Sequence, residues 1–346
     1  IKENPEPQDI KGRPNPKLVT RYSLLLLKLS VSATLFYLLI SRIGGKTILN
    51  NIRLLNPASF AAAVGLYIFA AYLSTLRWKL LIPQHIETRR LFSMYMIGSF
   101  FNTYMPGSIG GDAVKVYYMS RELKSGIDMQ SHADSPILSE GIVAIASVFM
   151  DRYIGFSALI CISLIAFPFG MNYLKGASLK WPVIWIVPSI AAIFLFLSIV
   201  IFKFRLGERL KFLLKAYHYF QIYLSKKDVL IRAFLYSLII QVLGVTSVYV
   251  LSKALSLNIS FLSLLIFLPI IILVSMLPLS ISGIGLREGA FVFLLGTTGV
   301  PPEMAMTLSI VWFLSVFVAG IWGLFEYLRF KAMFGREEKQ KPFQIP

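Results

Sequence analysis

The residues best equipped for chemistry stand beside two glycine-rich breaks in otherwise apolar sequence. Met-Pro-Gly-Ser-Ile-Gly-Gly at 105–111 runs directly into Asp112 and, one helical turn on, Lys115. Leu-Pro-Leu-Ser-Ile-Ser-Gly at 277–283 leads to Gly285, Arg287, Glu288 and Gly289. The two heptapeptides align without a gap and share Pro106/Pro278, a serine, an isoleucine and Gly111/Gly283; Gly110 has no glycine opposite it. Proline removes a backbone donor and clashes with the preceding turn, whereas glycine permits a tight reversal. Each break therefore ends one apolar helix and opens another. The free N–H groups and positive dipole end of the second helix form a seat for an anion such as a phosphate. Asp112 and Glu288, at the two helix starts, suit two roles: they cap those amides, or they give way to an anionic ligand. Lys115 and Arg287 add cations beside them. A further acid–base pair, Asp151 and Arg152, interrupts the apolar run 141–167. A charge at the bilayer centre costs from about 2.5 to well above 10 kcal/mol. This pair must therefore bond a neighbouring helix, line a cavity, or lie at the membrane edge.

Other chemistry is poorly provided for. His85, His132 and His218 lie in separate connections without metal-ligand spacing, and no P-loop is present. Cys161 is the single cysteine, so no disulfide or thiolate cluster forms within one chain. No cofactor or metal is expected, and the chain reads as a non-enzyme.

The elements that position these residues must be transmembrane helices. Of 346 residues, 56% are hydrophobic and 15% charged, and the mean hydropathy is +0.71, which excludes an ordinary soluble domain. Runs at 22–41, 59–82, 141–167, 181–202, 229–251, 261–279 and 304–328 each approach the roughly 20 residues of a spanning helix. Their lack of strict alternation excludes a transmembrane β-barrel. The net charge of +17 sits in the connections between apolar runs. It reflects the excess of Lys and Arg on cytoplasmic loops, with anionic headgroups as added partners, and not nucleic-acid binding.

Counting every run as a span, with 91–105 added, would place the strongly basic connection 203–232 outside. The positive-inside rule forbids this. The conflict disappears if 91–118 enters from and returns to the cytoplasm and 261–295 does the same from outside. The expected architecture is thus an all-α polytopic membrane protein of about six spanning helices plus two re-entrant helical hairpins in inverted orientation. The expected domains are a flexible cytoplasmic tail over 1–20, one transmembrane domain over 21–330 and a basic cytoplasmic tail over 331–346. Residues 205–225 read as an interfacial amphipathic helix, and Arg77, Trp78 and Lys79 as a cytoplasmic anchor. Non-helical backbone at membrane depth is tolerated only where it is buried or faces a cavity, so the two breaks should line one. Broken segments in corresponding halves point to a transporter's binding site.

These motifs, 105–115, Asp151-Arg152 and 277–289, resemble the lysylphosphatidylglycerol synthase transmembrane family, also called the flippase-like domain family. The resemblance runs from about residue 20 to 330. It implies lipid translocation, in some members beside a synthase domain that transfers an amino acid to phosphatidylglycerol. The sequence ends about 20 residues after its last apolar run, so a stand-alone member is expected, whose cargo is then another phospholipid, a hopanoid-related lipid or a polyprenyl-linked intermediate. Mapped by motif, the site comprises Pro106, Gly110, Gly111, Asp112, Asp151, Arg152, Pro278, Gly283, Gly285, Arg287 and Glu288, with Lys115 added from its position beside Asp112. The implied partners are membrane lipids, chiefly anionic phospholipid, with a second copy or a lipid synthase as further candidates. The implied location is the inner (plasma) membrane with both termini cytoplasmic. Two alternatives stand beside the flippase: an intramembrane lipid-modifying enzyme using Asp151 or His132, and a lipid-binding subunit of a synthase.

The topology makes a direct prediction. In a Cys161→Ser background, single cysteines within 120–135 and within 205–228 react with an impermeant maleimide from the same side of the membrane. Reaction from opposite sides overturns the six-span arrangement.

Overall fold

The computed structural model describes residues 16–104, 110–125, 140–174, 180–203, 223, 225–277, 279–280 and 282–340, with most side chains between 29 and 332. Among these residues the regular structure is helical throughout: α1 (Pro16–Ile43), α2 (Gly45–Arg53), α3 (Pro57–Leu80), α4 (Thr88–Tyr104), α5 (Gly110–Ser125), α6 (Glu140–Leu174), α7 (Lys180–Lys203), α8 (Lys227–Ala254), α9 (Phe261–Ser275), α10 (Leu286–Gly296) and α11 (Pro302–Gln340). Pro106 and Pro278, the segment 205–222, His132 and His218 lie outside the described residues.

Among the described residues, four helices are long and apolar enough to cross a bilayer: α3, α6 over Glu140–Phe169, α8, and α11 over Pro302–Ala332. The apolar stretches Leu29–Ser41 and Pro188–Val200 belong to continuous helices of 28 and 24 residues, α1 and α7, the length that a crossing needs. Helix α1 starts at Pro16, inside the stretch read as a tail, and α11 continues through basic sequence to Gln340. Local chemistry sets several boundaries. Asn56 accepts a hydrogen bond from the Ala58 amide with Pro57 at the first helical position, which opens α3. Ser260 does the same for α9 through Leu262 N–H.

The remaining long pieces are too short to span. Helices α4, α5, α9 and α10 hold 17, 16, 15 and 11 residues, which is about 16–26 Å at 1.5 Å per residue against a hydrocarbon core of about 30 Å. They form the two hairpins, α4–α5 and α9–α10. Their packing partners give the direction of entry. The α4–α5 residues Leu91, Met94, Ile97 and Met119 share a core with Trp78 and Leu81 of α3, Val148 and Ile154 of α6, Ala233 of α8 and Phe330 of α11. The α9–α10 residues Leu264, Phe267, Phe291 and Leu295 share another with Ala63 of α3, Ala166 of α6, Val248 of α8 and Leu308 of α11. The four spanning helices thus lend one end to each hairpin. Along α11 the contacts converge on its middle: Arg287 at the start of α10 stacks on Phe313, and Tyr104 at the end of α4 donates to the Phe317 carbonyl. The hairpins pack against opposite ends of the four long helices, and their inner ends approach the middle of α11.

The first hairpin is pressed backbone to backbone on both sides. A Cβ on Gly111 would lie 1.9 Å from the Gly98 carbonyl oxygen, and one on Gly323 of α11 would lie 2.1 Å from the Met96 carbonyl oxygen. Contacts this close exist only because glycine lacks the atom. Gly111→Ala and Gly323→Ala are expected to destabilise the detergent-solubilised protein by about 3 kcal/mol or more through overpacking. Gly65→Ala, whose Cβ meets nothing within 4 Å, serves as the neutral control, and thermal unfolding followed by size-exclusion chromatography reads the difference.

Candidate functional site

Between the two tips lies a cavity of about 500 Å³. Both hairpins line it: Asn102, Thr103 and Asp112 from the first, Ile272, Ser275, Met276, Ser282 and Arg287 from the second. Tyr67 of α3, Arg152 and Phe156 of α6, and Trp312, Phe313 and Val316 of α11 complete the wall. Tyr67 is near the middle of α3 and Phe313 near the middle of the α11 span, so the chamber sits at the depth where charge is most expensive.

Its charges are paired. Arg152 grips Asp112 with two guanidinium nitrogens, Nε at 3.0 Å from one carboxylate oxygen and an Nη at 2.7 Å from the other. Planar guanidinium and carboxylate match in this bidentate geometry. The side chain of Arg152 keeps 40% of its surface accessible, and it is a cavity-lining residue, so the pair is open to a ligand. On the opposite hairpin Arg287 donates to Glu288 at 2.5 and 3.0 Å and approaches Ser309 Oγ at 3.4 Å. Its guanidinium carbon lies 4.2 Å from the centroid of the Phe313 ring. This second pair is buried, with Glu288 only 1% exposed.

The two acids cap unequally. Glu288 accepts a 2.6 Å hydrogen bond from the Gly285 amide and so caps α10. Gly283 and Gly285 carry φ of 75° and 86° in the turn before it, a left-handed backbone that glycine adopts freely. Among the described residues, no amide donates to Asp112. The Gly111 amide donates to Asn102 Oδ1 at 2.9 Å instead, and Asp112 is taken by Arg152. Gly110 opens α5, and the Arg287 amide returns to the Gly283 carbonyl at 2.8 Å. Among the described residues the Gly111, Gly285 and Arg287 amides have partners, and Arg152 and Arg287 bring guanidinium groups to the chamber wall.

Asp151 and Arg152 part company although adjacent. Successive helical residues diverge by about 100°, so Arg152 turns to the cavity while Asp151 turns to α3. There it accepts from Arg77 Nε at 2.8 Å, and Arg77 Nη1 donates to Ser237 Oγ of α8 at 2.8 Å. Gly155 leaves room for this guanidinium, since a Cβ there would sit 3.0 Å from it. Arg77 is therefore not an interfacial anchor. It is 5% exposed, and Trp78 beside it is fully buried and donates to Ser147 Oγ at 3.2 Å.

Lys115 is also displaced from its expected place. It is absent from the chamber wall, 2% exposed, with Nζ 3.4 Å from the centroid of the Tyr95 ring and 5.6 Å from that of Trp78. Gly98 provides the notch for its stem, as a Cβ there would meet it at 2.6 Å.

Residues 25–323 match the family model of the lysylphosphatidylglycerol synthase TM region. The chain belongs to this family. The matched stretch contains both hairpins and every residue of the chamber wall. A UPF0104 membrane protein of Methanothermobacter thermautotrophicus is 24% identical over 292 residues, covering 78% of this chain and 84% of that protein. Sequence reading found Asp112, Arg152 and Arg287 but missed Tyr67, Asn102, Trp312 and Phe313, which lie in unbroken apolar helices and carry no spacing signal.

The two ion pairs of α6 should separate in mutagenesis. Asp151→Asn strands a buried guanidinium and is expected to lower stability by about 3–5 kcal/mol, whereas the double change Arg77→Met with Asp151→Leu restores most of it. Arg152→Gln, whose partner borders the cavity, should cost about 1 kcal/mol or less. Thermal unfolding of the three purified variants against wild type distinguishes them.

Proposed function

We propose that the protein moves a phosphate-bearing lipid between membrane leaflets by carrying its headgroup through the chamber between the hairpin tips. The observation that supports this reading most is the open Arg152–Asp112 pair on the wall of a mid-depth cavity that both hairpins line. A phosphate offers guanidinium the same bidentate geometry as a carboxylate. The headgroup can therefore replace Asp112 on Arg152 with both guanidinium and phosphate paired, while the displaced carboxylate stays on the wall of the open chamber. Arg287, fixed by Glu288 and the Phe313 ring, is a second guanidinium on the same chamber. The acyl chains stay in hydrocarbon, and an apolar groove of about 420 Å³ between α3 and α11, lined by Val64, Ile68, Val318, Trp322 and Phe325 among others, offers them a path along the protein.

The opposed hairpins suit alternating access, because separating one tip from the chamber opens it toward one face and separating the other opens the opposite face. The end that holds α4–α5 carries Lys79, Arg89, Arg90, Lys124, Arg232, Arg329 and Lys331. By the positive-inside bias it is the cytoplasmic end of a plasma-membrane protein, with both termini on that side.

Reconstituted into vesicles with a fluorescent phosphatidylglycerol, the protein should expose inner-leaflet probe to dithionite, and Arg152→Gln should slow this exchange at least about tenfold, the loss of one charge-assisted bidentate contact. Wild-type exchange equal to empty vesicles across phosphate-bearing lipids defeats the proposal. Turnover of the lipid into a new species would favour an intramembrane enzyme, and stable binding without exchange an accessory subunit.

A further inference from the structure

Among the described residues, the charges that line the chamber or lie directly behind its wall do not cancel. The cations are Arg77, Lys115, Arg152 and Arg287; the anions are Asp112, Asp151 and Glu288. Three salt bridges consume three of each. The odd charge is Lys115, which no carboxylate of the described residues approaches within ion-pair distance and which rests on the faces of Tyr95 and Trp78. Ring quadrupoles offset only part of the desolvation of an ammonium and leave its field unneutralised. That field reaches the chamber, because Lys115 lies one turn from Asp112 on the same helix, where neighbouring Cβ atoms are roughly 5–6 Å apart.

We infer that Lys115 is a specificity-determining positioning residue: its caged charge tunes the chamber to a headgroup carrying a single net negative charge, in preference to zwitterionic or dianionic ones. The inference rests on the headgroup reading above and deepens it. One negative ligand brings the buried set to neutrality, a zwitterion leaves one cation uncompensated, and a dianion overshoots. Lys115 does this without touching the ligand. Its field also steadies the Asp112 carboxylate when Arg152 turns to a ligand, and so eases the exchange of carboxylate for phosphate. The Gly98 notch keeps the ammonium in this place, fixed against Tyr95, where it acts as a constant field and not as a mobile contact.

The test is competition against a bound fluorescent phosphatidylglycerol by three unlabelled short-chain lipids, on the purified full chain at pH 8: phosphatidylglycerol (one negative charge), phosphatidylcholine (zwitterionic) and phosphatidate (largely dianionic). Wild type should favour phosphatidylglycerol over phosphatidylcholine by about tenfold, the effect of a unit charge roughly 10 Å away at an effective dielectric of about 20. Lys115→Met should bring the two within about twofold. Lys115→Arg, which keeps the charge, should restore the preference, which a purely structural role for the side chain does not require. Asp112→Asn, which raises the net buried charge by one, should shift preference toward phosphatidate and keeps the test decisive should Lys115→Met fail to fold. Wild-type discrimination that survives unchanged in Lys115→Met, or in Asp112→Asn, overturns this inference while the headgroup reading stands. Wild type that binds none of the three lipids overturns the headgroup reading and this inference together.

Discussion

A guanidinium held halfway through a membrane protein is tolerable only if something negative meets it, and the architecture follows from that constraint. Arg152 meets Asp112, Arg77 meets Asp151 and Arg287 meets Glu288. Two of the pairs join different pieces of chain, α6 to the first hairpin and α3 to α6, and the third links two first-turn residues of α10 to one another. Desolvation of a lone ion costs several kcal/mol even after relaxation, so the pairs fix which helix faces which. Hydrophobic association cannot do this inside a bilayer, where lipid tails are as apolar as leucine. Polar pairs and close glycine contacts supply the specificity instead.

The three pairs are not equivalent. Arg77–Asp151 is enclosed by α3, α6 and α8, with a serine hydroxyl completing it, and acts as a rivet. Arg287–Glu288 is a local clamp that also caps its own helix. Arg152–Asp112 alone combines bidentate geometry with an open face on the chamber. Burial separates structural from exchangeable ion pairs here, although the residue types are the same. The caged Lys115 adds a fixed charge beside the exchangeable pair, a role that aromatic rings permit and a carboxylate would abolish.

The hairpins place broken backbone where a spanning helix would allow none. Among the described residues beside the tips, three amides are taken up locally: Asn102 receives the Gly111 amide, Glu288 the Gly285 amide and the Gly283 carbonyl the Arg287 amide. This satisfies the requirement that backbone in a low-dielectric region find partners and leaves side chains to face the ligand. Asn102, nine positions before Gly111, and Glu288, three positions after Gly285, supply these partners from within each hairpin.

Hydropathy, glycine and proline determined much of this protein from sequence alone. Apolar runs, basic connections and the two aligned breaks dictate an all-helical membrane fold with opposed hairpins, because length against bilayer thickness and charge against membrane potential are properties of single segments. Asp112, Arg152, Arg287 and Glu288 were visible for the same reason, as charges inside apolar sequence that nothing local explains. Their partners were not. That Asp151 bonds Arg77 across 74 residues of sequence, that Lys115 sinks into an aromatic cage behind Gly98, and that Tyr67 and Trp312 wall one chamber are decided by which helix faces pack together. Those faces are chosen by contacts between distant segments, and no periodicity within one segment encodes them.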